Sequence, residues 1–138
     1  VTTVELLKAQ IDASGGQLTR ALNGVDPSHK DFRLHAGGYS FAEQVAHLSE
    51  AYTAVLAAAE GKEHEWGSFK PASEEWTALV SEALSLREKA AATVLEDDDT
   101  KLMMGADYIV SHDLYHVGQL ATMRLQVYPD WNCYELYG

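Results

Sequence analysis

A single cysteine, Cys133, stands in this chain of 138 residues, so no intramolecular disulfide holds the fold together. Basic residues are also few: 10 Lys and Arg face 21 Asp and Glu, a net charge of −11. A phosphate backbone is gripped by clustered Lys and Arg that release its counterions. The balance here disfavours nucleic acid as a partner, and anionic membrane surfaces for the same reason. No apolar run reaches the roughly 20 residues that a membrane-spanning helix needs, and no signal peptide is visible. A soluble, cytoplasmic protein is therefore expected. Alternating strand patterns, internal repeats and low-complexity stretches are absent too. What remains is 46% hydrophobic and 22% charged residues, enough for one core in a single domain over residues 1–138.

The three prolines, at 27, 71 and 129, fall where helical periodicity has already broken. In the first segment Val4, Leu7, Ile11, Leu18 and Leu22 follow helical spacing, with Glu5, Lys8, Asp12 and Arg20 turned outward. Gly15 and Gly16 weaken its middle by about 1 kcal/mol each relative to Ala, and mark a bend or a close approach by a neighbouring helix. Residues 24–39 read as a loop. Ser40 and Glu43 form a capping box that starts a second helix, with Phe41, Val45, Leu48, Tyr52, Val55 and Ala59 as its stripe and Gly61 as its end. The connection from Gly61 to Ala72 is too long for a tight hairpin and lets the next helix run parallel to the second.

A third helix is expected from Ser73, with Glu74 and Glu75 in its first turn. Its buried face is Trp76, Leu79, Val80, Ala83, Ala90 and Val94. The acidic run Glu96–Asp99 reads as a solvated turn, with Asp99 or Thr100 capping a fourth helix over roughly 102–127. Ile109, His112, His116, Leu120, Met123 and Val127 share one face of it. The aromatics Trp131, Tyr134 and Tyr137 of the tail are expected to pack on the bundle or on a partner subunit. Four amphipathic helices make an all-α four-helix bundle.

Six histidines are present. His112 and His116 stand one helical turn apart, so their rings project side by side, a spacing that can hold a divalent ion. With six histidines that spacing arises easily by chance; their position on an apolar stripe says more. Burying two adjacent imidazoles costs free energy unless both are hydrogen-bonded or ligated. His47, between Ala46 and Leu48 at the edge of the second helix's stripe, supplies a third imidazole. The plainer alternative is three satisfied core histidines. His29, His35 and His64 lie in polar loops and are expected at the surface.

At these same residues the sequence resembles a known family. Gly38–Leu48 (GYSFAEQVAHL) looks like the second-helix signature of the DinB/YfiT-like metalloenzymes, and His112–Gln119 (HDLYHVGQ) like their fourth-helix signature. The resemblance implies an up-down-down-up four-helix bundle, commonly a homodimer. It also implies one divalent metal ion per chain, zinc or nickel, on His47, His112 and His116. Relatives with known activity transfer low-molecular-weight thiols such as bacillithiol or mycothiol, or use them in isomerisation. Carried over, the function is that of a metal-dependent thiol S-transferase, acting on a small electrophile in a stress response. A non-catalytic scaffold stapled by the ion and a metal-dependent hydrolase are the alternatives.

Around that centre, Glu50 is a fourth ligand, an acceptor for an imidazole N–H or a general base; the plainer reading is a solvated surface glutamate. Gln119 orients a ligand or caps an interhelical hydrogen bond, and Gly118 permits close helix packing. Tyr52 and Tyr115 line a cleft or belong to the core. Cys133 lies outside the histidine motif and reads as an incidental tail residue. Arg33 and Arg124 are the isolated cations available to the carboxylates of a thiol, and no basic cluster is evident.

Overall fold

The computed structural model describes every residue, Val1–Gly138, and contains helices and no strands. Helix α1 spans Thr3–Leu22, α2 Phe41–Ala59 and α3 Trp76–Val94. A fourth rod is built without interruption from α4 (Asp99–Met104), a π-helical stretch (Gly105–Ser111) and α5 (His112–Val127). No helix is long and apolar enough to cross a membrane.

Local chemistry sets most of the boundaries. Both α1 and α2 begin in a full capping box, Thr2 with Glu5 and Ser40 with Glu43, each cap contributing about 1 kcal/mol. Gly61 follows the end of α2 at φ +74°, a left-handed conformation that glycine adopts without steric cost. Helix α3 starts at Trp76 rather than at Ser73, because the Ser73 hydroxyl accepts the Glu75 N–H in a local turn. The acidic turn ends one residue earlier than expected: Asp98 caps α4 by accepting the Lys101 N–H. The fourth rod accordingly begins at Asp99 instead of 102.

Contacts along the rods give the topology. Phe41 and Trp76, the first residues of α2 and α3, pack edge to face with ring centres 6.2 Å apart, so these helices run parallel. Arg124 near the end of α5 donates to the carbonyls of Arg20 and Ala21 at the end of α1. At the other end Gly105 abuts Leu7, so α1 and the fourth rod are parallel as well. Gln44, early in α2, meets Met123, late in α5, which sets the two pairs in opposite directions. The bundle is up-down-down-up.

Leu18, Phe41, Leu48, Tyr52, Ile109 and Leu120 are fully buried in one continuous core; each such large side chain contributes about 1.5–3 kcal/mol by leaving water. At mid-height all four helices meet at one polar node. Asp113, wholly buried, accepts from Tyr52 and from Arg87 Nε (2.7 Å). Arg87 also donates to Ile11 O at 2.7 Å and Ser14 Oγ at 3.0 Å. Gly15 of α1 makes room for this. A Cβ at Gly15 would lie 2.4 Å from an Arg87 guanidinium nitrogen.

The tail aromatics divide between the bundle and the surface of the chain. Trp131 stacks under Arg124 at 4.1 Å and Leu136 is buried, but Tyr134 and Tyr137 remain 75% and 73% exposed. A short 3₁₀ turn, Cys133–Tyr137, is anchored by Arg20, which donates to Leu136 O, and that geometry turns the two tyrosines outward.

Candidate metal centre

His47, His112 and His116 come together. One ring nitrogen from each lies within 4.8 Å of the others, with ring centres separated by 4.6–5.3 Å. Helix α2 supplies the first ring, and α5 supplies the other two from successive turns of one face. The π-helical stretch ends at Ser111, directly before His112. Its wider turns reset the angular register of the rod, so α5 presents this face at the α2 seam.

Gln44 fixes the most buried ring. Its amide N–H points at Met123 Sδ (3.8 Å), which leaves the carbonyl oxygen to accept from His116 Nδ1–H. The lone pair of His116 is thereby placed on Nε2, 3.1 Å from His112 Nε2. The four-coordinate shell of a zinc ion, with Zn–N bonds of about 2.0–2.1 Å, sets its ligand atoms about 3.3 Å apart. His112 Nδ1 is buried with no hydrogen-bond partner, so the protein alone does not satisfy this ring. Burial, reinforced by the neighbouring imidazoles, pushes His112 down to about 4 and His116 down to about 3. Both rings are neutral at pH 7, the form that binds a cation. The donor set and its geometry fit a divalent ion.

The centre opens onto a cleft of about 730 Å³ between α5 and the loop before α2. His47 and His116 form its floor, with His35, Tyr39, Tyr115 and Thr122 among the walls. Tyr39 and Trp66 flank the His47 ring at 5.7 and 6.4 Å.

Other expectations need correction. Glu50 is neither a surface residue nor a ligand: it is buried and accepts the backbone N–H groups of Gly67 (2.7 Å) and Phe69 (3.0 Å). Burial alone would raise its carboxyl, but those two donors, with His64 beside it, hold it below the ordinary glutamate range. His64 is tucked 3.7 Å from the same carboxylate, its side chain 9% exposed, rather than standing at the surface. Glu50 thus pins the 61–72 connection, which carries Trp66 to the rim of the centre. His29 is half-buried and meets the Tyr128 hydroxyl at 2.9 Å, while His35 is exposed as expected.

Gln119 donates to Tyr115 Oη within α5 (3.0 Å), neither touching the histidines nor bridging helices. Gly118 faces open space, not a packed helix. Tyr52 belongs to the core; Tyr115 lines the cleft. Neither arginine is free: Arg33 pairs with Glu43 and donates to Gly38 O, and Arg124 is buried on the α1 carbonyls. Two buried polar arrangements, Gln44 on His116 and the Asp113–Arg87 pair of the core, carry no spacing signal in the sequence. Their partners lie 72 and 26 residues away.

Fold and centre together define the class: an up-down-down-up helical bundle with a three-imidazole centre at the foot of an open cleft. In comparison with known proteins, no family model, curated protein or solved structure matches this chain.

Proposed function

We propose that the chain is a divalent-metal-binding protein of the DinB-like kind, holding one zinc or nickel ion on His47, His112 and His116. On that centre it would act as a thiol S-transferase. The observation that carries the reading is the convergence of three imidazoles, two of which, His47 and His116, line a cleft of about 730 Å³. A divalent ion on such a site favours thiolate over thiol and so supplies the nucleophile. The chain's own share is positioning. Gln44 holds the His116 tautomer, Trp66 and Tyr39 flank the His47 ring, and the cleft leaves room for a cosubstrate and its acceptor. The thiol gives its proton to solvent, a sulfur–carbon bond forms, and the leaving group departs with its electron pair.

The experiment is a panel of glutathione, cysteine, bacillithiol and mycothiol against a chlorinated arene and a bimane, with a thiol-free ester control. Conjugation should vanish with a chelator and with His112→Ala, and survive Cys133→Ser, since the sulfur comes from the cosubstrate. Ester turnover without thiol would instead mark a hydrolase, using bound water with a pKa near about 7. Metal without any turnover would mark a scaffold.

A further inference from the structure

Trp66, beside His47, also lines a second cavity of about 320 Å³ that none of the three centre histidines enters. It lies where the second half of α2 meets the fourth rod, under the 61–72 connection. Ala54 and Ala58, one turn apart on α2, leave the space, and Met104 and Tyr108 of the rod close it. Trp66 and Tyr108, 52% and 47% exposed, bring two aromatic faces to it. The connection is held by Glu50 through the Gly67 and Phe69 N–H groups, so this wall is preformed. His64 is its polar group. The side chain is 9% exposed, and Nε2 is sealed off without a partner, 3.7 Å from Glu50 Oε1 and outside hydrogen-bond reach. The carboxylate attracts the ring proton to Nε2 and would repel a lone pair there, so Nδ1 carries the lone pair. Nδ1, the nitrogen that is not sealed off, is left to face the cavity. An acceptor in an apolar recess with no donor against it is an incomplete site. No free charge completes it: Lys62, 72% exposed at the mouth, pairs with Glu60 at 3.1 Å, and its neighbour Glu63 has the opposite sign.

We propose that this cavity is a binding site for a neutral aromatic molecule carrying one N–H or O–H donor, which it gives to His64 Nδ1 while its ring lies against Trp66 and Tyr108. The inference is independent of the metal and thiol readings, because it uses none of the three centre histidines. A volume of about 320 Å³ stands at the small end of ligand pockets and suits about two fused rings. Aromatic side chains take such a ring in offset or edge-to-face contact, and the Met104 sulfur adds to it. A ring without a donor would strip water from Nδ1 and return nothing. An anion would leave water for walls that supply no unpaired cation.

The test titrates the ¹⁵N-labelled full chain with indole, with its isostere benzofuran, which lacks the N–H, and with indole-5-carboxylate, each followed by NMR. Indole should shift the Trp66 side-chain N–H and the His64 Nδ1 resonances. It should bind about fivefold or more tightly than either of the others, in keeping with one hydrogen bond in a recess. Ala58→Leu, at an exposed position of α2, fills the cavity and should weaken indole about tenfold or more with helical content unchanged. His64→Phe, which keeps a ring and removes the acceptor, should bring indole down to the level of benzofuran; if that variant misfolds, Ala58→Leu and the His64 resonance of the unmodified chain decide. Equal affinities for indole and benzofuran, shifts that gather on the cleft residues His35, Tyr39 and Thr122, or binding unaltered by Ala58→Leu would each overturn the inference. So would the absence of saturable binding up to about 1 mM.

Discussion

Gln44 is the residue on which the centre turns, although it touches no ion. It accepts the Nδ1 proton of His116, and so decides which nitrogen of the most buried ring faces its two neighbours. Partners that orient a ligating histidine typically account for 10–100-fold in metal affinity. Gln44→Leu is therefore expected to weaken zinc binding by about that factor with the helical content unchanged, measured by competition with a chromophoric chelator; unchanged affinity would show the tautomer to be set elsewhere. This role was not legible in the sequence, where Gln44 is one polar residue near a helix start. The three histidines were legible, because charge-capable rings on an apolar stripe are costly unless occupied. Glu50 was misread for the complementary reason: a lone glutamate at a helix edge looks solvated until the loop that it pins, 17 and 19 residues away, is in place.

Among the elements, the helices followed from periodicity and capping boxes, and the parallel course of α2 and α3 from the length of their connection. The π-helical stretch Gly105–Ser111 did not, since its residues keep the composition of an ordinary helix. Nor did the approach of the Arg87 guanidinium of α3 to Gly15 of α1. Two helical glycines give opposite expectations on that basis. An exposed helical Gly→Ala stabilises by about 1 kcal/mol, and a Cβ at Gly118 meets nothing within 4 Å, so Gly118→Ala should raise stability. At Gly15 the new methyl would meet the Arg87 guanidinium at 2.4 Å. That group is held by three hydrogen bonds and cannot move freely. Gly15→Ala should therefore destabilise, and urea denaturation of the two variants should move the midpoints in opposite directions.

For the whole molecule, the buried imidazoles make stability of the metal-free chain depend on pH. His112 and His116 take protons at about 4 and about 3 in the folded state, against about 6.5 in the unfolded chain. The unfolded state thus binds protons first as pH falls. The stability these rings contribute is fully present above about pH 6.5 and is lost progressively between there and about pH 3. Thermal midpoints of the chelator-treated chain should fall between pH 7 and 5, above the range where most carboxylates titrate. The double variant His112→Ala, His116→Ala should flatten that fall; an unaltered slope would put its origin in other groups. With bound metal the same protons compete for the ligands, so the ion should leave well below pH 6.5.

The central claim is that His47, His112 and His116 hold a divalent ion, and metal content per chain tests it most directly. Tag-free protein, dialysed against equimolar zinc and nickel and then against buffer, should carry close to one ion by elemental analysis. His116→Ala should lose most of it while remaining folded, and the triple alanine variant at 47, 112 and 116 should carry less than about a tenth, because no other cluster of three ligating side chains in the structure has this convergence. Metal retained undiminished by the triple variant, or an unmodified chain that stays empty while the histidine variants lose only stability, would contradict the account.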